Sequence, residues 1–424
     1  MTEESKVRAA LLSPWSRRGV LQLTAVLLLE IGALWLGGTS WIGSWSDTSI
    51  MIEQQVLFVG PLCAALAAYS SGSVVSAVLQ HGTGKPPAWL NVSVLFGSVG
   101  WNVAGYFGAA LIAVAVTTAN GAGPPVISGF VAFGALWLVV CVAVGHLFGA
   151  AIRLRWLAVT VAALAAFLAL ALTFDSGTPV LTHTAGPWLA VRVDALCRVL
   201  TLGTCLGTLA VAVGTGSVST RQLRQTGPRV LVSAGVAGVA SVAAAVWLMS
   251  GNGLGVRRQP PPEPACAVAP DIEFCVWPDH KKYLPQLENL AANSRRVPDA
   301  FKQPSRLVEE GIDGGEGTGF VLPDGGLWML TAIHANQTLR NTFGVTACDI
   351  PEDDWENLDR AWWELDVWIQ LTLTQAEWPT DLGGGANVNY TEIEAVTFGP
   401  PEASEEWAAE RADLIRQIAS SGCG

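Results

Sequence analysis

Seven long apolar runs occupy the first 250 residues, and no other feature leaves the chain so few ways to fold. They are 20–43, 55–79, 92–118, 126–151, 157–174, 195–215 and 230–250. A helix needs roughly 20 apolar residues to cross a hydrocarbon core of about 30 Å, where every backbone polar group must be satisfied internally. With 51% hydrophobic and 14% charged residues over 424 positions, the chain is too apolar for an ordinary soluble protein of its size. The expected fold class is an α-helical multi-pass membrane bundle of about seven spans followed by a small α+β domain.

The gaps between the runs carry turn residues, among them Lys85-Pro86-Pro87, Gly121 to Pro125, Asp175-Ser176-Gly177 and Gly227-Pro228. Loop charge orients the spans, because Lys and Arg accumulate on the cytoplasmic side. Lys6, Arg8, Arg17, Arg18, Lys85, Arg153, Arg155, Arg221, Arg224 and Arg229 fall on one set of ends, and Arg192 alone falls in the opposite loops 44–54, 119–125 and 175–194. The N-terminus is therefore expected in the cytoplasm, and an odd number of spans puts the C-terminal part outside the cell membrane. Glu30 within the first run, and six further runs, favour a retained helix over a cleaved signal peptide. Trp41, Trp45, Trp89, Trp156, Trp188 and Trp247 fall near span ends, where an indole keeps its ring in lipid and its N–H in the wet interface.

Charge divides the chain again. Residues 1–250 hold 12 Lys and Arg against 7 Asp and Glu, whereas 251–424 hold 12 against 28. So acidic a tail lacks the basic footprint of a nucleic-acid binder, and nucleic acid is not an expected partner. The expected organisation is a cytoplasmic lead-in over 1–19, spans over 20–250, a Pro-rich linker over 251–264 and an external domain over 265–424. That domain carries Cys266, Cys275, Cys348 and Cys423, an even number in a compartment where disulfides persist. Of three possible pairings, Cys266–Cys275 with Cys348–Cys423 is favoured, the first closing a small loop and the second tying down the C-terminus. Zinc is not expected, since there is no CxxC and His280 and His334 lie at no ligand spacing.

Within the domain, 283–293, the run through Trp355, Leu358, Trp362, Leu365, Trp368 and Ile369, and 404–419 read as helices. Gly319 to Leu322, Leu327 to Ile333 and Ala395 to Phe398 read as short strands. The eight Trp residues are read as core rather than as a ligand platform.

Chemical motifs are scarce. His81-Gly-Thr-Gly-Lys85 is not a phosphate loop, because Leu79 stands where the first Gly is needed and Pro86 replaces the Mg-binding hydroxyl. HExxH and GxSxG do not occur. Inside the spans, Glu30, His146 and Arg198 are the candidate polar sites. Glu30 lies either on a substrate path or in a bundle-stabilising hydrogen bond, at a mid-membrane cost of about 2.5 kcal/mol or more. Arg198 follows Asp194 by one helical turn, which suggests a local ion pair. His146 lies inside Gly145-His-Leu-Phe-Gly149, which with Gly203-Thr-Cys-Leu-Gly207 has the spacing of close helix packing.

The lead-in Lys6-Val-Arg-Ala-Ala-Leu-Leu-Ser-Pro-Trp15, the turn Gln80-His-Gly-Thr-Gly-Lys-Pro-Pro-Ala-Trp-Leu90, the outer segment 175–194 and the phrase Cys275-Val-Trp-Pro-Asp-His280 carry a resemblance. Over residues 1–215 the layout resembles the permease subunit of a type-2, exporter-class ATP-binding-cassette transporter, most like actinobacterial members with a cysteine-containing external tail. The resemblance implies a transport path without catalytic residues or a cofactor, energised by a separate ATPase. It implies contact with that ATPase at His81, Gly82, Thr83, Lys85 and Trp89, and pairing with a second copy or a sibling permease within the lipid. The chain departs from the family's usual six spans and cytoplasmic end. A membrane-anchored receptor, sensor or accessory subunit presenting an external binding domain is the alternative.

Overall fold

The computed structural model describes residues 17–80, 88–122, 128–152, 154–175, 187–216, 236–243, 245–246, 255–270, 272–313, 319–322, 327–344, 352–376 and 388–422. His81, Gly82, Thr83, Lys85, Trp247, Cys348 and Cys423, the lead-in to residue 16, most of 175–194 and most of the seventh run lie outside them. The chain forms two compact units, Met1–Arg258 and Gln259–Gly424.

The first unit holds α1 (Arg17–Leu36), α2 (Trp45–Gln54), α3 (Val56–Gln80), α4 (Ala88–Ala119), α5 (Phe130–Ala151), α6 (Arg155–Asp175) and α7 (Val193–Gly216). Five helical stretches are long and apolar enough to cross a membrane: α1, Trp45–Ser73, Trp89–Ala119, α5 and Val193–Thr215. Arg155–Ala171 is a shorter apolar helix, and 236–243 is helical. Their outer faces leave Leu21, Leu28, Phe96, Leu111, Trp156 and Leu164 exposed, more apolar surface than a protein in water carries without a partner.

Two boundaries differ from expectation. The first helix ends at Leu36 rather than 43, and the supposed loop 44–54 is helix α2, capped by Ser44, which accepts from the Asp47 N–H, and leading through Gln55 into α3. Asp47 beside the cap favours the helix dipole, and Ile50 and Ile52 are buried. Trp41 and Trp188 also depart from the interfacial reading, for both are buried in protein, and Trp41 donates its ring N–H to the Gly38 carbonyl.

Contacts fix the helix directions. Gly19 meets Trp101 and Gly105 meets Leu23 and Val26, so α1 and α4 run parallel; Gly145 meets Ala64 and Gly149 meets Ala68, so α3 and α5 do too. Gln22 donates to Ser70, Gly60 faces Leu170 and Gly214 faces Asn91, which makes α1 antiparallel to α3, α3 to α6 and α4 to α7. The chain thus reverses direction from each of these helices to the next, α1, α3, α4, α5, α6 and α7.

At one end of the bundle, Ser49 and Ser128 share a 2.7 Å hydroxyl contact, and the Val191 N–H donates to the Ser128 carbonyl. β1 (Leu189–Val191) pairs antiparallel with β2 (Gly255–Arg257), and Arg258 locks the pair by donating to the Trp188 and Pro187 carbonyls.

The spacing Gly145-x-x-x-Gly149 works as expected. A β-carbon at either glycine would run into the carbonyl of Ala64 or Ala68, whereas at Gly203 it would stand 3.3 Å from the Val139 Cγ1 atom. Gly145→Ala is therefore expected to destabilise the bundle by about 1–3 kcal/mol through overpacking, while Gly203→Ala stays near neutral. Melting of the two variants in detergent checks this; equal effects would refute it.

The second unit builds a three-stranded sheet, β3 (Ala265–Val268) antiparallel to β4 (Glu273–Val276), with β5 (Arg306–Val308) parallel to β4. Around it lie α8 (Leu284–Asn293), α9 (Trp328–Phe343), α10 (Glu352–Thr374), α11 (Tyr390–Thr397) and α12 (Pro401–Gly422). Phe274, Leu287, Phe320, Leu365, Trp368 and Ile415 make its core. The three expected helices are present.

Two expected strands are helices instead. Leu327 to Ile333 enters α9, whose buried Leu330, Thr331, His334, Ala335, Thr338 and Leu339 recur at helical spacing once the window is extended. Ala395 to Phe398 ends α11, which Asn389 caps by accepting from the Glu392 N–H. Only Phe320, bridged to Glu309, retains the expected strand character. Trp277, Trp368 and Trp407 are core as expected, but Trp355 and Trp363 are exposed.

Candidate functional site

In the bundle, Glu30 stands on α1 six residues before its Leu36 end, closer to that end than the longer expected span implied. It is fully buried, and neither carboxylate oxygen has a hydrogen-bond partner among the described residues. A second buried carboxylate lies on α2. Glu53 on α2 is 1% exposed, and its Oε1 is likewise unpartnered. Tyr106 on α4 is fully buried in the same core cluster as Cys63 of α3 and Cys141 of α5. Tyr106 reaches across to α5, donating to the Val131 carbonyl at 3.2 Å and filling the space that Gly134 leaves open. Each carboxylate thus stands buried on its own helix, Glu30 on α1 and Glu53 on α2.

His146 is a further buried polar residue of the bundle. It is fully buried, with both ring nitrogens unpartnered among the described residues, five residues from the Ala151 end of α5 and between the two glycines that abut α3. Arg198 pairs with Asp194 at 2.9 Å, and Arg192 holds the same carboxylate at 2.8 Å, as the one-turn spacing suggested. Trp89, the described residue of the expected coupling turn, is exposed near the start of α4.

In the second unit Cys266 and Cys275 are joined as expected, across paired positions of β3 and β4. Two residues on, the Trp277 backbone N–H donates to Glu309 Oε2 at 2.9 Å, and His280 Nδ1 meets Glu309 Oε1 at 2.6 Å. Glu309 in turn donates its backbone N–H to the Cys275 carbonyl, and the Trp277 indole donates to the Glu310 carbonyl. Gly319 lies so close to Glu309 and Glu310 that a β-carbon would fall 2.5 Å from the Glu310 backbone. The phrase Cys275 to His280 is thus a clasp closed on a buried carboxylate.

A second polar seam lies between α9 and α10. His334 is fully buried with both ring nitrogens unpartnered, against Phe274, and burial pulls its pKa down to about 4. Asp366 accepts from the Gln370 amide, and burial pushes its pKa up to about 7. Gln370 also contacts the Thr331 hydroxyl at 3.5 Å.

Sequence reading missed Glu53, Tyr106 and Glu309. Glu53 sat in a stretch taken for a loop, although Ile52 and Val56 on either side of it stand one helical turn apart. Glu309 gave no local signal, because its partners lie 29 and 32 residues away.

Among the described residues, the one set of three potential metal ligands close enough to share an ion is Cys266, Glu273 and Cys275, and its two sulfurs are already bonded to each other. The chain matches no family model, no curated protein and no solved structure. What it is must be argued from these sites and from helices that suit a membrane.

Proposed function

We propose that the chain is a membrane-spanning transport subunit of seven crossings, with its N-terminus in the cytoplasm and its C-terminal unit outside the cell membrane. The observation that carries this is two carboxylates, Glu30 and Glu53, each buried inside the bundle with no Lys or Arg partner among the described residues. An anchor has no need of such groups, and an ionised carboxylate in a dry interior costs several kcal/mol after relaxation. Ionisable residues facing the interior of a bundle mark substrate and ion pathways.

The seventh crossing is supported by the pairing of β1 with β2. Leu189 precedes α7 and Gly255 follows 230–250, so strands at the same end require the chain to leave and return between them. Energy would come from a separate ATP-binding-cassette ATPase, with a second copy or sibling permease completing the path, as the layout of residues 1–215 suggests. The chain itself would catalyse nothing.

Affinity purification of the full chain from native membranes tests the assembly. An ATPase carrying a nucleotide-binding signature and a permease partner should copurify; a regulatory kinase in their place, or neither, would overturn the reading.

The buried clasp of the C-terminal unit favours a second reading, a receptor or sensor held in the membrane by its helices. In that case Glu30 should be replaceable without loss of function, while the C-terminal unit binds a ligand.

A further inference from the structure

We propose that Cys266 and Cys275, once reduced, join Glu273 in binding one divalent cation of the zinc type, so that the C-terminal unit exchanges its disulfide for a metal ion when its redox state changes. This goes beyond the transport reading above, for it concerns the C-terminal unit alone.

The ligand atoms are already gathered. The two sulfurs and a carboxylate oxygen of Glu273 all lie within 4.8 Å of one another. The sulfur bond is not all that holds them there. Cys266 and Cys275 are direct partners in the β3–β4 ladder, flanked by Ala265 opposite Val276 and Ala267 opposite Phe274, with their Cα atoms 4.1 Å apart. Opening the disulfide leaves that ladder in place, so the two thiols stay opposed. Glu273 precedes Cys275 by two residues and shares its face of β4, whereas Ala267 and Phe274 belong to the core. Cys266 and Glu273 are half-buried, which gives a reductant and an ion access from solvent. The absence of CxxC is therefore no bar, because the hairpin brings together what that spacing would otherwise supply.

The chemistry balances. A dithiol reductant gives two electrons and two protons to the disulfide, making two thiols, and is itself oxidised to a disulfide. The cation then displaces both thiol protons and takes two thiolates at about 2.3 Å and one carboxylate oxygen at about 2.0–2.2 Å, with water in the fourth position. Withdrawal of two electrons from the sulfurs by an acceptor disulfide remakes the S–S bond and expels the ion. Charge closes as well: two thiolates and Glu273 carry three negative charges, matched by the ion and by Arg306, whose Nε meets Glu273 Oε2 at 3.1 Å. Thiolate ligands select a borderline-soft ion such as zinc over magnesium or calcium, which take oxygen.

The test titrates cobalt(II), as a coloured stand-in for zinc, into the full chain in detergent after anaerobic reduction with a phosphine and its removal. A thiolate-to-cobalt charge-transfer band should rise and saturate at about one ion per chain, zinc should abolish it, and the oxidised chain should show none. C266S/C275S should lose the band, and E273Q should bind at least about tenfold more weakly. No band in the reduced chain, a band that survives in C266S/C275S, or unchanged affinity in E273Q would overturn the proposal. Should C266S/C275S fail to fold, alkylation of the reduced wild type by iodoacetamide decides, read on the separate cysteine peptides by mass spectrometry. Zinc should slow modification of Cys266 and Cys275 about tenfold or more while sparing Cys197 and Cys205; equal rates with and without zinc would overturn the site.

Discussion

Replacing Glu309 by Ala should strip about 3–5 kcal/mol from the C-terminal unit, most of the margin of a domain this size. The carboxylate is fully buried and serves two chain segments at once: it accepts from the Trp277 backbone N–H through Oε2 and meets the His280 ring through Oε1. Truncation leaves a backbone donor and an imidazole in the interior without their acceptor, and each unsatisfied group costs about 1–3 kcal/mol. Glu309→Gln separates shape from charge. Its amide oxygen can still accept from Trp277, so the loss should be roughly half as large if the two contacts contribute alike. Urea unfolding of the oxidised 259–424 fragment measures both, since that segment is a compact unit with its own core. A fragment that is unfolded without the spans, or an Ala variant within about 1 kcal/mol of wild type, would show that the clasp does not carry this stability.

The two halves of the chain were legible to different depths, for a physical reason. A span must be apolar over its whole length, so composition alone located the helices, and the 3.6-residue period located α8, α10 and α12. The limit came at boundaries. Glu53 and Asp47 lower the apolarity of 44–54 enough to read as loop, yet Ser44 caps it and its isoleucines pack inward, which makes it helix. In the C-terminal unit, Leu327 to Ile333 looks extended in a seven-residue window, and only His334, Thr338 and Leu339 beyond it reveal the helical face. The strands that do form are three or four residues long and owe their existence to partners far along the chain, as β5 does to β4. Short-range pattern cannot register such partners. The same holds at the sites: Arg198 and Asp194 were paired by spacing, because one turn joins them, whereas Glu309 and His280 meet only through tertiary structure.

The buried seam between α9 and α10 sets an unusual pH dependence. Burial lowers the folded pKa of His334 to about 4 against 6.5, so the folded state holds the ring neutral, and acidification from 6.5 to 4 favours the unfolded chain, which gains the proton. At 1.36 kcal/mol per unit this removes about 3 kcal/mol. Asp366 acts in the opposite direction. Its folded pKa of about 7 against 3.8 means that the folded state keeps a proton the unfolded chain has released, so stability falls as pH rises through that window, by about 4 kcal/mol in all. Between pH 4 and 6.5 the two slopes cancel, and their joint contribution should be flat. Each single substitution uncovers the other group. Asp366→Asn, a neutral near-isostere, should leave a unit that loses about 3 kcal/mol relative to its own pH 6.5 value on acidification to 4, while His334→Gln should leave one that loses stability as pH rises from 4 to 7. Urea midpoints of the 259–424 fragment across this range, taken as differences from wild type so that the many surface carboxylates drop out, give the two slopes directly. Difference curves of the same sign, or flat ones, would mean that the seam admits enough water to solvate both groups and that their burial does not govern how the unit responds to acid.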